Sequence, residues 1–363
     1  NKDTCIASAT ESCDDVTGRG VFIVNALTGS KIWSVDGASC VTGDLHCIRD
    51  SIPSQVSLLD SNSDGYVDRV YTGDTGGNIW RMDLAGADRS KWSTIKVASL
   101  ASDSSTEDRR FFTAPVIVRT YENKVTEPEA DVFNYEKIPY DGILIGSGDR
   151  AHPASSTDVT DYFFSLHDYA ISPTLFGETG FPAKPTSDTI ADLYNIEGDP
   201  VGNYSGTQVL EVFADISTYK GWKYEFKGIG EKSLGQGAVL EGTVYFTSFV
   251  PNSTVNIGCG VGDLGLGWLY AIDLHSGESR LKNDQGKAVA KVDIGSRVPD
   301  SLVIHAGVDE QGNSVIRLLG VGQGDKQVLI DEVTGEQKII HTGTIDTNTD
   351  MMPRRIYSYF KEN

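Results

Sequence analysis

The chain has 363 residues, of which 39% are hydrophobic, enough for a sizeable core in one large all-β domain or in two ordinary domains. Its 51 acidic and 31 basic residues give a formal net charge of -20, and no basic patch interleaved with aromatic residues offsets that charge, so we expect no nucleic-acid partner. No run of about 18 apolar residues occurs, so no membrane-spanning helix is predicted. The polar start has neither a signal peptide nor a methionine, and we interpret the chain as processed or as a fragment of something longer.

The cysteines form two close pairs and one single residue. Cys5 lies near Cys13 and Cys40 lies near Cys47, while Cys259 stands apart. The only histidine beside a pair is the one preceding Cys47, which argues against a metal site. We therefore predict two short disulfide loops, and with them an oxidising compartment such as the periplasm, the cell surface or the medium. Cys259 is interpreted as a small buried residue, with a partner elsewhere in a longer chain as the alternative.

A strand-and-turn pattern recurs along the chain. A glycine or a turn precedes an alternating hydrophobic strand, and a glycine follows nine or ten residues later, at 20–29 (GVFIVNALTG), 77–86, 267–277 and 326–335. A following strand such as SKIWSV would complete a hairpin each time. A repeat of this length has room for about four short strands, which predicts an all-β propeller. Weaker copies at 161–169 and 221–226 are interpreted as further units.

Residues 60–68 (DSNSDGYVD) have the spacing of a cation-binding loop. Asp60, Asn62 and Asp64 place oxygen-bearing side chains at alternate positions, which converge on one point in a tight loop. Gly65 permits the bend that turns the carbonyl of Tyr66 inward, and Asp68 adds a carboxylate at the ninth position. All these donors are oxygens, and Ca²⁺ accepts oxygen ligands in a flexible geometry, so the pattern predicts Ca²⁺. Mg²⁺ is disfavoured because it requires a stricter octahedron, and zinc and copper are disfavoured because soft ligands are absent.

The loop differs from an EF-hand in two respects. Tyr71 stands at the twelfth position, where an EF-hand has a bidentate glutamate, and the flanking segments 69–72 and 78–82 have strand patterns. The remaining donors must then be the second oxygen of Asp68 or water. The alternative interpretation is an ordinary turn rich in Asp, Asn, Ser and Gly. A second acidic string at 346–350 lacks the glycine and the ninth-position acid, and is interpreted as a polar turn.

Two polar segments, about 120–141 and 149–205, are too long for turns within a propeller blade. They are predicted to be insertions that build binding surfaces, with variable surface decoration as the alternative. Within the second, residues 187–198 open with cap residues and are the main helix candidate. The sequence thus predicts one propeller domain over residues 1–363, beginning partway through a blade and carrying long loop insertions.

These motifs resemble those of a known family. The stretch DSNSDGYVDRVYTGDTGGNIWRMDL, with GRGVFIVNALTGSKIWSV before it and AVLEGTVYFTSFVP and GWLYAIDL after it, is similar to the C-terminal domain of PilY-type proteins. These are type IV pilus biogenesis factors and pilus tip-associated adhesins of Gram-negative bacteria, and the similarity to the Pseudomonas member is close. The resemblance implies a modified β-propeller, seven-bladed in the family and incomplete in this chain.

The resemblance also implies a function and a site. In the family, calcium occupancy of the loop regulates pilus extension against retraction, and so twitching motility, surface attachment and virulence. Carried over to this chain, Asp60, Asn62, Asp64 and Asp68 would bind calcium through their side chains and Tyr66 through its carbonyl. The implied partners are pilin or minor pilins, with a host-cell surface receptor as a further one. The implied location is the cell surface on the pilus, with the periplasm or outer membrane during assembly.

An enzymatic alternative is a quinoprotein (PQQ) dehydrogenase, because the GWLYAIDLHSG string also resembles the tryptophan-docking blades of those calcium-using enzymes. Their adjacent cysteine pair is missing here, and the candidate ion loop connects two strands instead of facing a central funnel. Neither a HExxH motif nor a Gly-x-Ser-x-Gly elbow is present, and the six histidines are scattered. The chain is therefore predicted to be non-enzymatic, with no catalytic residues.

Overall fold

The computed structural model describes most of the chain, with side chains up to residue 304 and backbone strands beyond it. The described residues are 15, 17–37, 44–102, 104–154, 158–172, 176, 182–251, 265–281, 288–295 and 298–308, with the strands at 314–319, 326–330, 337–341 and 345–347.

Strands dominate the described residues. In chain order they are β1 (Gly20–Val24), β2 (Lys31–Asp36), β3 (Ser57–Leu59), β4 (Arg69–Gly73), β5 (Asn78–Asp83), β6 (Ser93–Ser99), β7 (Val116–Glu129), β8 (Val132–Gly146), β9 (Tyr162–Asp168), β10 (Asp188–Thr189), β11 (Tyr194–Asn195), β12 (Gly221–Glu225), β13 (Ala238–Leu240), β14 (Thr243–Pro251), β15 (Gly265–Asp273), β16 (Val292–Gly295), β17 (Val303–Val308), β18 (Ser314–Leu319), β19 (Lys326–Ile330), β20 (Gln337–His341) and β21 (Ile345–Thr347). One α-helix, α1 (Thr207–Ile216), lies between β11 and β12.

The strands form small sheets of neighbours in sequence. β1 and β2 form the hairpin predicted at residue 20, and β3 to β6 form an antiparallel meander. β7, β8, β9 and β12 form the next sheet, and β13 to β16 the one after it. Beyond these, β18 pairs with both β17 and β21, and β19 pairs with β20. Such four-stranded antiparallel units are the blades of a propeller.

Apolar clusters lie between consecutive sheets. The first cluster, between the sheets of β1 and β4, contains Val21, Val70, Trp80 and Met82. The second, between the sheets of β4 and β8, contains Tyr71, Phe111, Ile143 and Phe164. The third, between the sheets of β9 and β14, contains Phe163, Trp222, Phe246 and Tyr270. The sheets of β4 and of β9 therefore bury both faces against their neighbours, which confirms the all-β propeller-like fold.

The central strands show why the fold buries so much of the chain. Every residue of β4 and of β5 is buried, including the charged ones. A strand covered on both faces has no solvent side, so its polar residues must find partners inside the protein. This requirement shapes the candidate site described below.

The two predicted insertions have regular structure of their own. Much of 120–141 is the outer part of the β7–β8 hairpin, paired from Val116 with Leu144 to Glu129 with Val132. The segment 149–205 contains β9, and it also contains β10 and β11, which add in parallel to β6 and β12.

Two sequence expectations in this region are wrong. The copies at 161–169 and 221–226 are the paired strands β9 and β12 of one sheet, not separate units. The helix candidate at 187–198 forms β10, a single 3-10 turn (Ile190–Asp192) and β11. The turn is capped by Thr189 and not by the opening Ser187 or Asp188, and the Asp192 carboxylate accepts from the backbone N of Thr189 at 2.7 Å. The turn is followed at once by Leu193, which is buried in the core between sheets.

Candidate metal centre

The 60–68 loop closes the hairpin of β3 and β4. The two strands pair from Ser57 with Tyr71 to Leu59 with Arg69, and the backbone N of Asp68 donates to the Leu59 carbonyl at 3.0 Å. The loop therefore joins two strands, as the sequence predicts, and its base is held by the sheet. Its tip is exposed, with the Tyr66 side chain 77% accessible to solvent.

Side-chain oxygens inside the loop are held by the loop's own backbone. The Asp60 carboxylate accepts from the backbone N of Asp64 at 3.2 Å and of Gly65 at 2.8 Å. Asn62 Oδ1 accepts from the backbone N of Asp64 at 2.9 Å, and Asp64 Oδ1 accepts from that of Tyr66 at 2.9 Å. These short-range bonds wind the chain around the first, third and fifth side chains.

Two residues of the loop have left-handed backbone conformations. Gly65 has a φ of 91° and Ser63 a φ of 62°. A Cβ added at Gly65 would meet nothing within 4 Å, so the glycine is required by its backbone angle and not by crowding. The bend predicted from the sequence is therefore found at Gly65.

Asp68 holds the two ends of the loop together. It is buried, and its Oδ2 accepts from Ser61 backbone N at 2.8 Å, Ser61 Oγ at 2.7 Å and Asn62 backbone N at 3.2 Å. The ninth-position carboxylate is thereby fixed beside the second and third positions. Loss of this carboxylate would release the start of the loop from its end.

The residues present fit a hard cation chemically. Asp60, Asn62, Asp64 and Asp68 lie on one nine-residue turn, each with a side-chain oxygen, and the hydrogen bonds above use only part of their lone pairs. Within the described residues, no three His, Cys, Asp or Glu side chains are gathered as a preformed metal cluster. A cation would therefore be held by a mixed set that includes the Asn62 amide and the Tyr66 carbonyl, which is typical of calcium.

An arginine from the neighbouring sheet contacts the loop. Arg119 lies on β7, and its Nη1 donates to the Ser61 carbonyl. The same guanidinium binds the Asp141 carboxylate through Nε at 2.8 Å and Nη2 at 3.0 Å, and Nη2 also donates to the Ile171 carbonyl at 2.8 Å. One side chain thus touches the loop, strand β8 and the segment that follows β9.

A buried ion network begins at the residue after the loop. Arg69 is fully buried, with its Nη1 3.0 Å from Asp141 Oδ2 and its Nε 3.3 Å from Asp83 Oδ1. It also donates to the carbonyls of Ala170 and Ser172. The loop is therefore followed directly by a side chain that spans two sheets.

The network continues through a second arginine. Arg81 Nε lies 3.1 Å from Asp83 Oδ2, and its Nη1 lies 2.5 Å from Asp168 Oδ2, which also accepts from the Tyr71 hydroxyl at 3.1 Å. Burial raises the pKa of Asp83, although Arg81 and Arg69 oppose that shift. Burial, aided by Asp168, also raises the pKa of Tyr71, so its hydroxyl stays a donor. The network thus balances three arginines, of which only Arg119 is partly exposed, against three buried aspartates, Asp83, Asp141 and Asp168.

Sequence reasoning missed this network. Arg69 and Arg81 each lie within a strand pattern that predicts burial, and a charge inside such a strand signals a partner in another element. The sequence therefore indicates that each of these arginines has a buried partner, but it does not indicate which residue that partner is.

The predicted disulfides fall mostly outside the described residues. Cys47 is buried, while Cys5, Cys13, Cys40 and Cys259 lie outside the described part of the chain. The pairings therefore stay predictions. The turn predicted at 346–350 lies largely outside the described residues as well. In the described residues, no helix is long and apolar enough to cross a membrane.

Comparisons with known proteins agree with the resemblance stated from the motifs. No family model matches the chain. A type IV pilus biogenesis factor PilY1 homolog from Xylella fastidiosa is 26% identical over 297 residues, covering 78% of this chain. This chain spans only 18% of that relative's length.

Solved structures show similarity in fold. The crystal structure of the Pseudomonas aeruginosa PilY1 C-terminal domain matches with a TM-score of 0.52 and 18% identity, over 82% of this chain and 64% of that one. A quinohemoprotein alcohol dehydrogenase from Pseudomonas putida HK5 matches with a TM-score of 0.38 and 13% identity, over 88% of this chain and 38% of that one. The chain is thus similar in sequence to the PilY1 homolog and in fold to the PilY1 C-terminal domain.

Proposed function

We propose that this chain is the calcium-binding propeller of a type IV pilus biogenesis factor and adhesin, and that it is not an enzyme. The observation that carries the proposal is the 60–68 loop, which gathers four oxygen-bearing side chains on a turn anchored to a rigid sheet. The similarity to the PilY1 homolog from Xylella fastidiosa supports the connection with pilus assembly.

Calcium acts in this proposal as an ordering ligand. Without the ion, the carboxylates of Asp60, Asp64 and Asp68 lie on one short turn and repel one another, so the loop is loosened. Binding removes that repulsion and stabilises the ordered loop by about 2.7 kcal/mol at a calcium concentration 100 times the dissociation constant. That free energy is enough to shift a nearly balanced equilibrium about a hundredfold. The ordered loop then changes a contact with pilin or minor pilins, and thereby pilus extension, twitching motility and surface attachment.

The location and partners follow from the same proposal. The chain is placed at the cell surface on the pilus, after passage through the periplasm or outer membrane, and a host-cell receptor is a further partner. The net charge of -20 suits an exported protein that binds a divalent cation.

Calcium titration of the chain by calorimetry, with and without purified pilin subunits, tests the proposal. We expect one calcium ion per chain and a pilin affinity that differs between calcium and chelator. No calcium binding, or pilin binding independent of calcium, would contradict it. A visible absorbance from a bound quinone in the purified protein would favour the dehydrogenase alternative instead.

A further inference from the structure

We propose that Arg119 is the positioning residue through which calcium-dependent ordering of the 60–68 loop reaches residues 168–172, at the end of β9 and directly after it. This role rests on the proposed calcium site, and it gives the route by which occupancy of that site affects residues elsewhere in the fold.

The contacts of Arg119 join two parts of the protein that belong to different sheets. Its guanidinium donates to the Ser61 carbonyl in the loop and, at 2.8 Å, to the Ile171 carbonyl beyond β9. Two further bonds to the Asp141 carboxylate fix the plane of the guanidinium. A planar guanidinium held by two parallel bonds cannot shift one end without shifting the other.

Ser61 is the residue that makes the contact sensitive to the loop. Its backbone N and its hydroxyl both donate to the buried carboxylate of Asp68, a proposed calcium ligand, while its carbonyl accepts from Arg119. Ordering of the loop around a cation therefore fixes the orientation of the Ser61 peptide unit, and with it the acceptor that Arg119 binds.

Arg69 contacts the same neighbouring segment, but it is less suited to report the state of the loop. It is fully buried, and its ionic partners Asp83 and Asp141 lie on β5 and β8, outside the loop. The side chain of Arg119 is 37% exposed and binds a loop carbonyl directly. Arg69 thus contacts residues 170 and 172 without touching the loop, whereas Arg119 contacts Ile171 and the Ser61 carbonyl of the loop through one guanidinium.

Hydrogen exchange with and without calcium tests this route. In the unmodified chain we expect saturating calcium to slow exchange in residues 60–68, and to slow it at least about threefold in residues 166–172. In Arg119→Gln the first effect should remain and the second should disappear. Arg119→Lys keeps the charge but loses the planar fork, so it should behave like Arg119→Gln.

Arg280→Gln is the matched control. Arg280 is also partly exposed and also paired with an aspartate, Asp273, at 2.5 Å, but it follows β15 in another sheet. This variant should keep both calcium effects. If Arg119→Gln does not fold, the exchange measurement on Arg119→Lys alone tests the route.

The outcomes separate the route from the site. Calcium protection of 166–172 that persists in both Arg119 variants, or that is missing from the unmodified chain while 60–68 responds, overturns the role of Arg119 and leaves the calcium site intact. Failure of calorimetry to detect calcium binding by the unmodified chain overturns the calcium site, and this route with it.

Discussion

Asp68 and Arg69 are consecutive in the chain, and their side chains bind different parts of the protein. The Asp68 carboxylate accepts from Ser61 at 2.7 and 2.8 Å inside the loop, while the Arg69 guanidinium lies 3.0 Å from Asp141 in the next sheet. Asp68 is the last residue of the loop and Arg69 is the first residue of β4, so the two contacts lie on either side of the point where the strand begins. The candidate cation loop is therefore attached directly to the buried ion network between two blades.

Replacement of Asp68 by alanine should weaken calcium binding. The change removes one of the loop's charged donors and also the acceptor of three hydrogen bonds that close the loop, so we expect at least a tenfold loss of affinity, or about 1.4 kcal/mol. Calorimetry measures this loss of calcium affinity.

Two serines provide the comparison for that variant. Ser63→Ala alters an exposed residue at the tip and should leave the affinity unchanged, and Ser61→Ala removes only one hydroxyl bond and should have a smaller effect than Asp68→Ala. Equal affinities for Asp68→Ala and Ser61→Ala would remove Asp68 from the ligand set.

Replacement of Gly65 by alanine should also weaken calcium binding, through the backbone alone. An added Cβ would meet open space, but a φ of 91° costs a non-glycine residue about 1 kcal/mol or more. We expect the calcium affinity to fall several-fold.

Gly86→Ala is the matched control for backbone strain. Gly86 has a φ of 80° and equally open space, and it lies in the turn after β5, away from the loop. Both variants should lose similar stability without calcium, but only Gly65→Ala should lose calcium affinity. A similar loss of affinity in both would assign the effect to general destabilisation.

Replacement of Asp141 by alanine should strongly destabilise the fold. Asp141 is fully buried and pairs with both Arg69 and Arg119, so its removal leaves the buried Arg69 with only Asp83, which Arg81 shares, as a counter-charge. We expect a loss of about 3–5 kcal/mol in the free energy of unfolding, measured by denaturant titration.

The control for Asp141 is an exposed ion pair. Lys227 binds Glu225 and Glu197 at the surface with its side chain 54% exposed, and Lys227→Ala should change the free energy of unfolding by no more than about 0.5 kcal/mol. A loss below about 1 kcal/mol for Asp141→Ala would mean that the network contributes little to stability.

Replacement of Asp161 by asparagine should change how stability depends on pH. Burial raises the pKa of Asp161 to about 6, despite the hydrogen bond from the Ser147 hydroxyl at 2.6 Å. Because the folded state holds this proton more tightly than the unfolded state, the contribution to stability is complete below about pH 4 and is lost as the pH rises through about 6.

The Asp161→Asn variant has no carboxyl group at this position, so nothing titrates there. The unfolding free energy of Asp161→Asn relative to the unmodified chain should therefore increase by about 1–3 kcal/mol between pH 4 and pH 7. Denaturant midpoints across this range measure the difference, and a constant difference would show that Asp161 has an ordinary pKa in the folded state.

Much of the architecture was predictable because it depends on local patterns. The hairpin of β1 and β2, the buried strands β4 and β5, and the bend at Gly65 all follow from alternation and turn residues. The helix expected at 187–198 was wrong because a cap and a short apolar pattern determine only one turn. Pairing of β10 with β6 and of β11 with β12 then draws that segment into two sheets.

The sequence by itself determined the oxygen-donor loop, since its donors lie within nine residues and their spacing alone brings them together. Only the tertiary structure decided what that loop is attached to. Arg119 meets Ser61 from 58 residues away, and Arg69 meets Asp141 from 72 residues away. Such partners are chosen by the packing of one sheet against the next, because a charge buried between blades must be paired wherever the fold places an opposite charge.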